Sequence, residues 1–156
     1  MTPEALADLH ARVFIDTPRP WTAGEFADLL ALPSTQLVAA APAGFALGQF
    51  AGPEATLLTL AVHPERRRRG LGRALLRELE DRARDEGVEE MFLEVAANNA
   101  AALALYTGLD YRRAGVRPRY YFRALLPPID ALVLRKDLGP AGSALIGKSR
   151  LTSLAP

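Results

Sequence analysis

The chain has no cysteine in its 156 residues. That removes disulfides, thiolate metal sites and any cysteine nucleophile from consideration. Histidine is almost as scarce, and His10 and His63 are too few for a histidine-rich metal centre. Net charge is small as well: 19 Lys and Arg stand against 18 Asp and Glu, leaving +1, so basic character is local. No apolar run approaches the roughly 20 residues of a membrane span. The segment Met1-Thr2-Pro3-Glu4 has neither the basic region nor the apolar stretch of a signal peptide. These absences predict a cytoplasmic protein with no membrane attachment and no metal. What is abundant is apolar residues, 49% of the total, enough for one domain with a sizeable core.

Periodicity sketches the elements. Leu6, Leu9 and Val13 at helical spacing predict a helix from Pro3 to Phe14. Thr22 followed by Glu25 has the form of a capping box and predicts a second helix through Leu32. Short apolar strands are expected over Thr35–Ala41 and Phe45–Ala51, joined as a hairpin across Pro42-Ala43-Gly44. A third strand, 55–63, ends at Pro64, and a helix from Leu71 to Asp85 ends at Gly87. On that helix Arg77/Asp81, Glu78/Arg82 and Glu80/Arg84 stand at i,i+4 and read as a solvated face. Glu90 to Ala96 is a strand, and Asn98 or Asn99 caps a helix through Thr107. Strands are then expected from Tyr111 to Gly115 and from Ile129 to Arg135. Pro118, Pro127 and Pro128 mark a substantial loop between them. Strands interleaved with helices predict an α/β layer fold over residues 1–138, with 139–156 a weakly patterned tail.

Between the third strand and the helix after it lie Arg66-Arg67-Arg68-Arg69-Gly70-Leu71-Gly72. A glycine-bearing turn that opens a helix directs free backbone N–H groups, and the positive end of the helix dipole, at an anion. The arginines add charge, so a phosphate-bearing ligand is expected. Alone, the run also suits a solvated charge cluster or a nucleic-acid patch. Gly70-Leu71-Gly72 also suits the start of a dinucleotide fingerprint, though Leu75 occupies the place of its third glycine.

Three polar residues stand out further along. Glu94 interrupts the apolar strand Met91-Phe92-Leu93-Glu94-Val95-Ala96 and shares a face with Phe92 and Ala96. It is either a solvent-facing edge residue or a carboxylate in a partly apolar cleft, poised by desolvation as a base. Asn99 and Tyr106 are seven positions apart on one helix face, roughly 10 Å along the axis at 1.5 Å per residue. They are either a cap and a packing aromatic, or contacts to an extended ligand held at one end and reacted at the other.

The arrangement Arg67-x-x-Gly70-x-Gly72 between a strand and a long helix resembles the pyrophosphate loop of the GNAT N-acetyltransferases, which bind acetyl-coenzyme A. Further motifs stand in the same order. Leu60-Ala61-Val62, the arginine–glycine loop, Leu93-Glu94-Val95, Asn98-Asn99-Ala100-Ala101-Ala102 and Ala104-Leu105-Tyr106 together resemble the RimI-type ribosomal-protein N-terminal acetyltransferases. Arg117-Pro118-Arg119-Tyr120-Tyr121 looks like that group's basic, double-tyrosine loop. The likeness runs from about Glu54 to Tyr121, with a weaker echo at Pro20-Trp21 and Phe26.

The resemblance implies a GNAT fold: a mixed, mostly antiparallel sheet with a splayed parallel strand pair, flanked by helices. It implies that Leu60, Ala61 and Val62 offer backbone hydrogen bonds to the pantetheine arm. Arg67, Arg68, Arg69, Gly70, Leu71, Gly72 and Arg73 would cradle the pyrophosphate, and Asn99 would touch the cofactor further along. Glu94 would be the general base, Tyr106 the general acid towards the leaving thiolate, and Tyr120 and Tyr121 acceptor contacts. The implied activity is acetyl transfer from acetyl-coenzyme A to the N-terminal α-amine of a protein, of the ribosomal-protein-alanine type.

Three departures accompany the likeness. Helix-like sequence starts at Pro3, so the family's usual first strand is missing or shortened. Asp110 stands where the family commonly has glycine after the tyrosine helix. The stretch beyond Leu138 has no counterpart in the short members. Rival readings are a GNAT acting on a small amine or lysine and a non-catalytic acyl-coenzyme A binder. A nucleic-acid binder using Arg112, Arg113, Arg117, Arg119 and Arg123 is a third, although direct nucleic-acid contact is not expected.

Overall fold

A computed structural model describes residues 1–15 and 17–139. The expected tail, apart from Gly139, lies outside the described residues. Two helices come first. Helix α1 (Pro3–Val13) has proline in its first turn, where no N–H partner is needed, and Thr2 Oγ1 accepts from the Ala5 N–H at 3.1 Å. Helix α2 (Ala23–Leu30) stops two residues short of expectation. Its capping box is formed as read: the Glu25 N–H donates to Thr22 Oγ1, and the Thr22 N–H donates back to the Glu25 carboxylate. No strand precedes α1 among the described residues.

Strands β1 (Thr35–Ala40), β2 (Gly44–Ala51) and β3 (Glu54–Val62) form an antiparallel meander. Helix α3 (Leu71–Asp85) leads to β4 (Glu90–Ala96), helix α4 (Ala100–Gly108), β5 (Arg112–Tyr121) and β6 (Ile129–Asp137). The six strands make one sheet in the order β1-β2-β3-β4-β6-β5, and β3–β4 is its parallel pair. This is the expected mixed, mostly antiparallel sheet flanked by helices. Strand β6 runs two residues past expectation, to Asp137, and the largest correction is at β5. Strand β5 runs through Pro118 to Tyr121, so the double-tyrosine segment ends a strand, and the connection is only 122–128. Proline is admitted because β5 is an edge strand and Pro118 falls where its register with β6 breaks, between Arg117 and Tyr121.

Each face of the sheet has its own core. Leu75, Leu76, Leu79 and Ala83 of α3 pack on Leu57, Met91, Leu93 and Val95. On the other face Leu6, Leu9 and Phe26 pack on Phe45, Leu47 and Ala61. His10 sits fully buried in that second core. Its Nδ1 accepts from the Trp21 N–H at 3.1 Å, so in the neutral ring Nε2 carries the proton and donates to Thr59 Oγ1 at 3.0 Å. Burial lowers its pKa to about 4, against a small opposing effect of Glu25.

The solvated-face reading of α3 is wrong for Glu80. Glu78 does pair with Arg82 at 3.0 Å, but Asp81 pairs with Arg84, three residues on. Glu80 is buried and accepts from the Tyr111 hydroxyl and the Lys136 ammonium, each at 2.8 Å. It stands four residues after Leu76 and three before Ala83, on the apolar stripe, and that spacing is the signal that marks it as inward-facing. No helix among the described residues is long and apolar enough to cross a membrane, and none of their acidic or histidine side chains form a metal-ligating group.

Candidate active site

Parallel pairing between β3 and β4 lasts only from Glu54↔Glu90 to Leu57↔Leu93. Beyond that point β3 follows β2 as far as Val62↔Gly44, while β4 follows β6 as far as Ala96↔Ala131. The two strands part, and the backbone of 58–62 has no strand partner on its β4 side. The register shows the cause. Gly48 pairs with Leu57 but Leu47 pairs with Thr59, so Leu58 is an extra residue. A bulge bends its strand and increases its twist, and this one turns β3 away where the pairing with β4 stops.

The mouth of the gap holds the arginine–glycine turn. Gly70 is the N-cap of α3 with φ 76°, no side chain caps the helix, and no acid stands in its first turn. Arg68 is left-handed too, with φ 63°. A β-carbon at Gly70 would have nothing within 4 Å, so glycine is needed for conformation and the space beside it is open. Left-handed residues in such turns direct successive N–H groups to one anion-binding hollow. At Gly72 a β-carbon would meet Leu105, Val62 and Leu60 at 3.5, 3.6 and 3.9 Å, so the start of α3, the end of β3 and α4 converge there. Arg73 reaches the end of α4, its Nη2 lying 3.1 Å from where a β-carbon on Gly108 would stand. Arg67 Nε donates to the Val62 carbonyl at 3.4 Å. Arg66, Arg68 and Arg69 are exposed around the turn.

Glu94 projects from β4 on the face opposite Met91, Leu93 and Val95, as alternation predicts. It is not a lone carboxylate in an apolar cleft. Arg117 Nε, from β5, lies 2.9 Å from Glu94 Oε1. Tyr106 is buried on α4, edge-on to Tyr111 at 5.9 Å between ring centroids. Its hydroxyl has no hydrogen-bond partner among the described residues. Burial, then the field of Tyr121, raises the Tyr106 pKa to about 12. The Tyr121 pKa also rises to about 12, by burial, then the Glu94 charge, then Tyr120. Tyr121 thus lies within electrostatic reach of both Tyr106 and Glu94, and ties the two sides of the site together. Tyr120 stands half-exposed, edge-on to Tyr121 at 5.2 Å.

Asn99 is the N-cap of α4. Its Oδ1 accepts from the Ala102 N–H at 3.1 Å, so the capping alternative is met and only its amide nitrogen is free to reach elsewhere. Asp110, the second departure, takes φ 71°, a left-handed conformation that aspartate tolerates less well than glycine. The sequence reading missed Arg117 as the partner of Glu94, since only strand order β4-β6-β5 brings them together. Of the five arginines in the nucleic-acid alternative, Arg117 is held by Glu94, and Arg123 donates to the Pro127 carbonyl at 2.6 and 2.8 Å. A separate recess of about 650 Å³ near the end of β6, with Arg112, Arg113, Arg135 and Asp137 on its walls, contains none of the expected site residues.

The sheet is thus open between its parallel strands, with an uncapped helix N-terminus at the mouth. Residues 6–111 match the acetyltransferase (GNAT) family, and the chain belongs to that family. Among its relatives is ribosomal protein bS18-alanine N-acetyltransferase of Escherichia coli, 49% identical over 79 residues, which cover 51% of this chain and 53% of that enzyme. The chain thus spans about half the length of that relative. The N-alpha-acetyltransferase RimI of Mycobacterium tuberculosis is 39% identical over 142 residues, 85% of each chain. The crystal structure of the ribosomal-protein-alanine N-acetyltransferase from E. coli superposes with a TM-score of 0.78 at 33% identity, covering 90% of both chains. Arabidopsis thaliana NAA60 in complex with acetyl-CoA shares the fold, with a TM-score of 0.73 at 18% identity over 87% of this chain and 93% of that one.

Proposed function

We propose that this protein transfers an acetyl group from acetyl-coenzyme A to the N-terminal α-amine of a protein, with a ribosomal protein as acceptor, and that it does so in the cytoplasm. The observation that carries the reading is the gap between β3 and β4. It leaves the backbone of 58–62 without a strand partner on its β4 side, and the open turn at Gly70 stands at one end, with Glu94 on the stretch of β4 beyond the pairing. These features fit acetyl-coenzyme A. The β3 backbone at Leu60, Ala61 and Val62 would pair with the pantetheine arm like a missing strand. The amides from Arg68 to Arg73 would hold the pyrophosphate, and the free amide of Asn99 would add a contact. When bound, the cofactor supplies an activated thioester.

The chain's own residues then handle protons and charge. An α-amine has a reference pKa of about 7.7–8.0 against about 10.4 for lysine, so a sizeable fraction is already neutral near neutrality. Glu94, directly or through a water, takes the proton the amine loses as it attacks. An N–H near Val62 faces the charge that develops on the carbonyl oxygen. Tyr106, still protonated at any physiological pH, gives its proton to the departing sulfur. Without cysteine no acyl-enzyme thioester can form, so the amine attacks directly in a ternary complex. Tyr120 and Tyr121 flank the acceptor side. The test is acetylation of peptides beginning with alanine or serine, mapped by mass spectrometry. Modification confined to internal lysines or small amines would refute the acceptor assignment.

A further inference from the structure

The pairing of Glu94 with Arg117 raises a problem for a base that must meet a cationic amine, because its carboxylate already has a cation on it. Three details bear on this. The contact is single, Nε to Oε1 at 2.9 Å, and leaves Glu94 Oε2 without a partner among the described residues. The arginine lies on the solvent side, 57% exposed against 28% for the glutamate. Its guanidinium carbon also stands 5.4 Å from the centroid of the Tyr120 ring, a second seat for a cation. Backbone register allows the movement: Arg117 pairs with Ala131 and Tyr121 with Ile129, so residues 118–120 loop out of the ladder directly after Arg117.

We propose that Arg117 is a place-holding cation on Glu94, displaced towards Tyr120 when the acceptor's N-terminal ammonium arrives. This rests on the reading of Glu94 as the group that receives the acceptor amine. An ammonium replaces the lost ion pair, whereas the acetylated product carries no charge and does not. Product in the site therefore leaves Glu94 without a counter-ion until Arg117 returns, and that return favours release. Arg117 thereby tunes affinity at Glu94: it weakens every ligand that reaches the carboxylate, and the charge of the amine offsets the loss. An ion pair this exposed makes a modest contribution, so its removal should change binding by no more than about fivefold.

Arg117→Met keeps an unbranched stem and removes the charge, and Arg117→Lys restores a cation. The readouts are fluorescence anisotropy with an alanine-initiated peptide and its N-acetylated counterpart, in the presence of coenzyme A, and the acceptor KM. Arg117→Met should tighten both peptides by the same factor, up to about fivefold, and lower the acceptor KM and the product's Ki together. Arg117→Lys should return all of these towards the parent protein. Peptide binding that weakens or stays unchanged in Arg117→Met overturns the proposal. Glu94→Gln separates this from the reading beneath it. If Glu94→Gln slows transfer while Arg117→Met leaves binding unchanged, only the place-holder fails. If Glu94→Gln leaves the rate unchanged, the base assignment fails first and the proposal falls with it.

Discussion

Replacing Tyr106 by phenylalanine removes one oxygen and separates chemistry from packing. The ring is only 8% exposed and edge-on to Tyr111, so those contacts survive the change. The hydroxyl has no partner to lose among the described residues. Stability should therefore shift by less than about 0.5 kcal/mol, or about 1–2 °C in Tm for a chain of this size. If the hydroxyl protonates the leaving sulfur, the rate falls by about 10²–10⁴, which is about 2.7–5.4 kcal/mol of barrier at 1.36 kcal/mol per decade. The two expectations differ several-fold, so a single experiment distinguishes them. The assay is direct: because the chain has no cysteine, a thiol-reactive chromophore reports only released coenzyme A. With a pKa of about 12, Tyr106 also contributes no falling limb to the parent protein's rate below about pH 11. A rate per folded molecule within threefold of the parent, or a stability loss that accounts for the activity loss, would refute the general-acid role.

Glu94→Gln should leave coenzyme A affinity intact and slow transfer by about 10²–10⁴, most strongly at low pH where little neutral amine exists; an equal rate throughout roughly pH 6–9 would remove Glu94 from the chemistry. His10 should make the fold acid-sensitive. Its pKa is near 4 when folded and 6.5 when free, so between those values the unfolded chain takes up a proton that the native ring does not. Its contribution is complete above pH 6.5 and falls away towards pH 4, by about 3 kcal/mol. Urea unfolding from pH 7.5 to 4.5 should show that slope in the parent and lose it in His10→Gln; equal slopes would contradict the burial argument.

The legible parts of this fold are those fixed by short-range chemistry. Thr22 and Glu25 declare their capping box because both partners lie within one helical turn. Leu71–Asp85 and Glu90–Ala96 carry clear periods, and both ends of each match expectation. The arginine–glycine turn was legible because its geometry belongs to the junction of one strand with one helix. Long-range pairings were harder to read. Glu80 was misread because its partners, Tyr111 and Lys136, are 31 and 56 residues away, and only a helical-wheel reading signals its inward direction. Pro118 suggested a loop because proline excludes a central strand, yet it does not exclude an edge. The extra residue at Leu58 has no local signature, since a bulge depends on the partner strand's register.

That bulge has a thermodynamic consequence. By parting β3 from β4 it creates an edge inside the sheet, with backbone donors and acceptors along 58–62 that no strand among the described residues completes on that side. An edge at the rim of a sheet invites other chains to pair with it; this one is sheltered between flanking strands and admits only something narrow and extended. Whatever completes it binds the native chain and not the unfolded one, and so adds stability by mass action, about 2.7 kcal/mol at a hundredfold excess over Kd. A ligand laid along this inner edge would thus protect the native chain from opening as well as occupy the site.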